Sequence, residues 1–551
     1  MLLLSILLFS MPPNPFADIE RPITKPTFPP LMNKGRQRIE QPIGEMRAFI
    51  ILVDFSDNQY TCQAAQFDSL IYGDNQGSLR DYYSEVSFGK FTISKQSVIA
   101  GWYRAPQPYS YYIGAEYGIS DPYPHNAQGL VVAACALADP DVDFSQFDED
   151  DDGIVDALFI VHAGPGAEET GNKNHIWSHQ WQLSNTNPPG PGQYATNDGV
   201  AVDQYSMEPE TLVSSPGGCI TVGVFAHEYG HILGLPDLYD RDQGSPYSIG
   251  MFGIMAAGSW GRAHDTLLPG SSPAHFCAWS KYQLGFVSPV AVERFGVTKL
   301  ENQSVPCAAS NSVAIRLLDD PGGPDWDYPH GGSGEYFLVE NRYRTGFDRS
   351  LPGDGFLILH IDDTRNSNDN QGHPLVGVMQ ADGDTTPLLS DWGNAADLWK
   401  DRTYGFGDSS RPTSFDYEGN PTGAWVYNIG PADSVMTASF WVTPILLGRV
   451  YAFPNPFIIN REPSWGKKVI ITYVPSDTIG LVEPFPDFTV IIYNVAGEKI
   501  RELQGNRETR QAFWDLKNDK GENVVSGMYL YVFETHGQKV ERRKGRMTVI
   551  R

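Results

Sequence analysis

Two histidines four residues apart, His227 and His231, flank a glutamate at 228 in the segment HEYGHILGLPD. On a helix of 3.6 residues per turn their imidazoles share one face and can reach a single ion. Glu228 lies between them and can address a metal-activated water, so HExxH pairs two zinc ligands with a general base. Gly234 follows three residues after His231, where a chain can leave a helix with positive φ. Pro236 turns Leu235 away from helical geometry, which also ends the helix. Asp237 comes next on a turned-back chain, placed as a third ligand, and three protein ligands plus an open position are what a catalytic zinc requires. The competing arrangement takes its third ligand from a glutamate on a following helix. No glutamate occurs between Glu228 and Glu293, so Asp237 is preferred. Two core histidines satisfied by hydrogen bonds are the plainer alternative.

The elements that must hold these groups can be read around them. Ile220–Ala226 is apolar enough to begin a buried helix, with Thr221 as its expected N-cap. Downstream, GIMAAGSW offers Met255 as a methionine turn beneath the metal, although a lone methionine more often simply fills core. Upstream, Met46–Phe55 reads as a buried strand ending at a polar turn. Strand-like and helical segments then alternate to about residue 290.

A second constellation is DEDDDGIVD. Asp148, Asp150, Asp152 and Asp156 fall at positions 1, 3, 5 and 9 of a calcium-type loop, with Gly153 at position 6 for the sharp turn. Position 12 is Phe159, so a full EF-hand is excluded. A structural Ca²⁺ held by Asp148, Asp150, Asp152, the Ile154 carbonyl and Asp156 is expected, against a simply solvated acidic loop. His162, His175 and His179 are expected to pack or to line a cleft wall.

HEYGHILGLPDLYD followed by GIMAAGSW resembles the M6 metalloproteases, the immune inhibitor A-like peptidases. The likeness continues in MRAFIILVDFSD, in YYSEVSFGKFTISKQSVIAGWY and in DPDVDFSQFDEDDDGIVDALFIVHAGPGAEE. It extends through PAHFCAWSKYQLGFV and EYFLVENRYRTGFDRSLPGDGFLILHIDD, so it covers roughly residues 44–445. The resemblance implies a zincin/metzincin-like α/β catalytic domain, zinc on His227, His231 and Asp237, Glu228 as catalytic base, and protein or peptide substrates. The alternative is a surface adhesion protein on an inactive peptidase scaffold.

Composition sets the limits. The chain has 551 residues, 41% of them apolar and 19% charged, which suits several globular domains. A formal net charge of −26 argues against nucleic acid as the main partner. Residues 1–16 open with an apolar run too short to span a bilayer and are expected to be a secretory signal peptide, with a buried N-terminal strand as the alternative. Residues 17–43 read as a Pro-rich linker or short propeptide. The catalytic domain is expected over 44–290 and a β-rich continuation over 291–445. No other stretch is long and apolar enough to cross a membrane, so a secreted or cell-surface protein is expected. The five cysteines, Cys62, Cys135, Cys219, Cys277 and Cys307, contain no CxxC pair and leave at least one thiol unpaired.

The last hundred residues carry β-branched and aromatic runs bounded by turns, the pattern of a β-sandwich. The string YAFPNPF, IYNVAGEK, Trp514-Asp515, Gly521 and VSGMY resembles a FlgD-like immunoglobulin-type domain, which also serves as the type A sorting signal of type IX secretion. That resemblance covers 446–551 and implies export or cell-surface attachment through the secretion machinery.

Overall fold

The run Phe49-Ile50-Ile51-Leu52-Val53-Asp54 holds no polar residue until its end, and all six residues are buried as a strand in the computed structural model. The structure describes residues 9–16, 37–38, 41–443 and 449–550, apart from 75, 186–189, 215–217, 242–247, 295–296, 329, 385–391, 459–467, 475–486, 508 and 537–541. Residues 1–8 of the expected leader and most of the expected linker therefore lie outside the described residues.

The mixed α/β part is built on one six-stranded sheet. Its strands are β1 (Phe9–Ser10), β2 (Phe49–Asp54), β3 (Val98–Arg104), β4 (Leu158–Pro165), β5 (His179–Gln182) and β6 (Gln204–Thr211), in the spatial order β1-β5-β6-β4-β2-β3. The strands from β6 through β3 run parallel, while β5 is antiparallel to β6 and β1 antiparallel to β5. Parallel strands covered on both faces read as continuous apolar runs, and Leu158–Val161 is such a run, buried throughout. Helix α1 spans Leu79–Val86 and is capped by Ser78, whose hydroxyl accepts from the Asp81 amide. Helix α2 (Ala127–Ala138) lies against β2 and β3, and helix α3 (Val222–Ile232) lies against β5 and β6.

β-rich structure follows. Strands β7 (Glu335–Arg342) and β8 (Gly355–Asp362) pair antiparallel over eight residues and are almost wholly buried. Arg342, at the end of β7, is fully buried and forked onto Asp348, with Nε–Oδ2 at 3.0 Å and Nη2–Oδ1 at 2.6 Å. Burial pushes the Asp348 carboxyl up, but Arg342, His275 and Lys281 together pull it down to about 2.

The chain divides into two compact units, Met1–Val290 with Asn302–Thr413 and Val426–Ser439, and Ala291–Glu301 with Ser414–Trp425 and Phe440–Arg551. Within the second, β9 (Arg449–Phe453), β11 (Val469–Val474) and β14 (Gln511–Trp514) form one sheet. The other sheet contains β10 (Phe457–Ile458), β12 (Phe488–Asn494), β13 (Lys499–Gln504), β15 (Gly527–Thr535) and β16 (Arg542–Ile550), in the order β10-β16-β15-β12-β13. Alternate residues meet in one core: Val469 and Ile471, Val490 and Ile492, Tyr531 and Phe533, Met547 and Val549, with Trp514 fully buried among them. Their neighbours Met528 and Leu530 face solvent, the period-2 pattern of a sheet with one wet face.

Candidate active site

Helix α3 carries the two histidines, and tertiary packing rather than propensity holds it. Every residue from Val222 to His231 is buried. Phe225 and Tyr229 pack on Phe159 of β4, with ring centroids 5.7 and 6.0 Å apart, and the Tyr83 hydroxyl of α1 donates to the Ala226 carbonyl at 2.9 Å. Thr221 occupies the N-cap position with extended backbone, but its hydroxyl does not cap the helix. It donates instead to the Pro269 carbonyl at 2.6 Å, tying the helix start to a neighbouring loop. Gly223 lets that loop approach, since a Cβ there would lie 2.8 Å from Gly270 Cα, and 2.0 Å from the Ser259 carbonyl oxygen of a neighbouring turn. A disulfide between Cys62 and Cys219, with Cα atoms 5.8 Å apart, anchors the segment just before the helix.

After Ile232 the chain reverses as expected. Gly234 adopts φ +93°, Gly234 N donates to His231 O at 2.9 Å and Leu235 N to Gly230 O at 3.0 Å. This turn carries Asp237 back beneath the helix. Met255 is buried there, its sulfur 2.6 Å from where a Cβ on Gly230 would stand, and its carbonyl accepts from Leu238 N at 2.8 Å. The methionine thus fills the space below the turn that joins the two histidines to Asp237.

The three side chains converge with no solvent exposure. His227 Nδ1 lies 2.7 Å from the Ile254 carbonyl, and His231 Nδ1 lies 2.7 Å from the Leu235 carbonyl. A carbonyl only accepts, so each Nδ1 carries the proton and each Nε2 presents a lone pair inward. The Nε2 atoms are 3.1 Å apart with the rings near perpendicular, and Asp237 Oδ1 lies 3.3 and 3.4 Å from them. Zinc bonds of about 2.05 Å at a tetrahedral angle put ligand atoms roughly 3.3 Å apart. The donor set therefore matches a zinc centre in type, spacing and protonation. Burial lowers the His231 pKa, against the pull of Asp237, which favours the neutral ligand form. Glu228 is fully buried on the same helix, next to His227.

The other expected residues separate into groups. In the acidic loop, ligand atoms of Asp148, Asp150 and Asp156 lie within 4.8 Å of one another. Burial, then the charges of Asp150, Asp152 and Asp148, raises the Asp156 carboxyl to about 7. Asp152 is not gathered with these three, and its Oδ1 accepts from Ile154 N at 2.8 Å. Gly153 takes φ +87°, the turn its place in the loop calls for. His162 is buried and stacked on Tyr109, and His179 is buried between the Trp177 carbonyl and the Tyr205 hydroxyl at 2.6 and 3.2 Å. Burial lowers both imidazoles to about 4. His175 bonds the Thr170 hydroxyl at 3.0 Å. None of the three joins a metal cluster among the described residues.

Of two further features at the centre, Tyr239 escaped the sequence reading, and the other bears on the alternative of a buried N-terminal strand. Tyr239, two residues past Asp237, is fully buried beside it, and burial followed by the Asp237 charge raises its phenol well above the usual range. Residues Ser10–Asn14, inside the expected leader, are buried too, and the Ser10 amide donates to Asp237 Oδ2 at 3.3 Å.

Residues 44–287 match the family described as immune inhibitor A peptidase M6, catalytic domain. The pre-pro-metalloprotease PrtV of Vibrio cholerae is 32% identical over 256 residues, which covers 41% of this chain and 25% of PrtV. Immune inhibitor A of Bacillus thuringiensis subsp. alesti is 31% identical over 253 residues, covering 39% of this chain and 34% of that protein. The chain thus spans only these minor shares of its relatives' lengths. Among solved structures, CopC from Methylosinus trichosporium OB3b overlaps 18% of this chain and 90% of its own at 20% identity and a TM-score of 0.13, an overlap too slight to bear on the fold.

Proposed function

With a metalloprotease catalytic domain of the M6 family at residues 44–287 as the premise, we propose that this chain is a secreted zinc-dependent endopeptidase acting on proteins. The observation that carries the reading is the buried convergence of His227, His231 and Asp237 at tetrahedral ligand spacing beside Glu228. His227, His231 and Asp237 would hold a zinc ion, which would supply Lewis acidity toward a peptide carbonyl and a water molecule. Glu228 takes the proton of the attacking water and delivers it to the leaving amine. His227 and His231 are held in the ligating tautomer by the Ile254 and Leu235 carbonyls, and Met255 supports the turn that brings Asp237 to them. The six-stranded sheet, with its antiparallel strand β5 beside the histidine-bearing helix, supports a zincin/metzincin-like catalytic domain.

A structural Ca²⁺ belongs in the acidic loop on Asp148, Asp150 and Asp156, with Asp152 and the Ile154 carbonyl as further donors once a cation draws the loop together. Residues 446–551 are read as a FlgD-like immunoglobulin-type sandwich that serves export or surface attachment through type IX secretion. Their ordered motifs and the two sheets around Trp514 support this. No helix among the described residues is long and apolar enough to cross a membrane.

The test is hydrolysis of casein by the purified full chain, with zinc analysis and with a chelator. Wild type should bind zinc and cleave, and the chelator should abolish cleavage. Glu228→Ala should retain zinc and lose turnover; cleavage at the wild-type rate by that variant overturns the reading, and a zinc-loaded wild type that never cleaves favours an adhesion protein on the same scaffold.

A further inference from the structure

Charge is unevenly spread along the chain. Residues 446–551 hold 16 of its 40 Lys and Arg but only 12 of its 66 Asp and Glu, a net +4 beside −30 for the remainder. In the sandwich three of these cations share one strand. Arg542, Lys544 and Arg546 of β16 are all exposed, while Met547 and Val549, out of phase with them, enter the core. Two residues of extended chain rise about 6.8 Å, so the three cations form a row at that spacing. Arg542 is paired with Glu534 of β15, whereas Lys544 and Arg546 form no ion pair among the described residues. The neighbouring strands complete the face. Register sets Arg546 opposite Leu530 and Leu530 opposite Tyr493, and it sets Lys544 opposite Val532 and Val532 opposite Ile491. Residues paired across strands share one face of a sheet, so each row runs from a cation on β16 to apolar side chains on β15 and β12. Met528 adds to the same face from the next row, opposite Thr548. Met528 is 44% exposed and Leu530 42%, while Ile491, Tyr493 and Val532 are half-buried.

We propose that this sheet face docks on an anionic phospholipid bilayer, with Lys544 and Arg546 on lipid phosphates and Met528 and Leu530 at the boundary between headgroups and acyl chains. The proposal goes beyond the sorting reading of residues 446–551 and needs no secretion machinery. Cations alone would suit a strand protected from edge pairing, but that role leaves Met528 and Leu530 in water. A free polyanion likewise meets only the cations. A bilayer boundary offers both partners at once, phosphates at one depth and hydrocarbon just below. The −30 carried by the rest of the chain opposes approach from afar. At physiological ionic strength, however, exposed charges more than about 8 Å away are largely screened, so the local face decides the contact. A basic row and a small apolar contact are each weak, and their sum gives reversible attachment. That differs from a membrane-crossing helix, which the described residues do not contain.

The test is co-sedimentation of the purified full chain with vesicles of phosphatidylcholine, alone or mixed with about one-third phosphatidylglycerol. Wild type should partition at least about tenfold more strongly onto the anionic vesicles and be released by about 0.5 M NaCl. Lys544→Gln combined with Arg546→Gln should weaken that binding about 30-fold, the share of two cations near the surface. Met528→Ser combined with Leu530→Ser should weaken it about tenfold. All four side chains are exposed, so both variants should keep the wild-type circular dichroism and Tm. Equal binding of wild type to the two vesicle types overturns the proposal, as does anionic binding untouched by the Lys544→Gln, Arg546→Gln pair. Undiminished binding by the Met528→Ser, Leu530→Ser chain overturns the lipid assignment in favour of a polyanion. Salt-sensitive self-association of wild type without vesicle binding overturns it in favour of the acidic surface of a second copy. Purified protein and vesicles contain no export apparatus, so a negative result strikes this face and leaves the sorting reading untouched.

Discussion

The His227–His231–Asp237 centre and the Asp148–Asp150–Asp156 loop each bring three ligand atoms within 4.8 Å, yet they are made of opposite materials. The first is wholly buried, mixes neutral nitrogens with one carboxylate, and has both imidazoles oriented by main-chain carbonyls. The second is all carboxylate, with Asp150 exposed and Asp148 and Asp156 half-buried, and its oxygens are engaged by amides of its own loop, as Gly153 N is with Asp148 Oδ2 at 2.9 Å. Orientation by fixed outer groups makes a site ready before its ion arrives; a loop of like charges needs the ion to lower its own repulsion. One site is therefore suited to chemistry and the other to stability.

That contrast can be broken most sharply at Glu228. Glu228→Ala should lower casein turnover by about 10³-fold or more while metal analysis still finds one zinc per chain; a parallel loss of zinc would show that the carboxylate is part of the ligand set. Next in size, Asp237→Ala should abolish zinc retention through dialysis, whereas Asp148→Asn should leave zinc stoichiometry unaltered. If both variants lose zinc, the two sites are not independent.

A buried ion pair without any metal provides a smaller, calibrating effect. Asp348 titrates at about 2 in the fold, below its ordinary 3.8, so its contribution is present above about pH 4 and is lost as pH falls toward 2. The shift corresponds to about 2 kcal/mol. Acid unfolding followed by circular dichroism should lose that steepness in Asp348→Asn; an unaltered acid limb would show that Arg342 does not stabilise the carboxylate. Smallest is calcium. At tenfold excess over Kd it should add about 1.4 kcal/mol, a rise in Tm of roughly 1–2 °C for a unit of this size. Asp148→Asn should remove that rise, and a wild-type Tm indifferent to Ca²⁺ would leave the loop merely solvated.

How much of this was legible in the sequence differs between the same regions. His227, His231, Gly234 and Asp237 could be placed because helical periodicity and a glycine turn are local facts, and the chain meets them within eleven residues. The β-branched and aromatic runs around Val490 and Ile492 or Tyr531 and Phe533 likewise announced strands, though which face is buried came only with the fold. Thr221 was placed correctly at the helix start, but its hydroxyl found a carbonyl 48 residues away, a tertiary choice that no local rule contains. The pairing of Cys62 with Cys219 was equally hidden, since five cysteines without a spacing motif admit many pairings. Ser10–Asn14 read as part of an apolar leader running into prolines, with a buried N-terminal strand as the alternative, and the strand's partner, β5, lies more than 160 residues later in the chain. Tyr239 carried no signal beyond its nearness to Asp237.

The Cys62–Cys219 bond closes a covalent ring around 157 residues of separation, and the ring includes α1, α2 and strands β3 through β6. A single backbone cut anywhere inside it cannot divide the molecule into two pieces, because both fragments stay joined through sulfur. This is tolerance of damage: a chain clipped once within the ring keeps the histidine-bearing helix α3 tethered to the sheet.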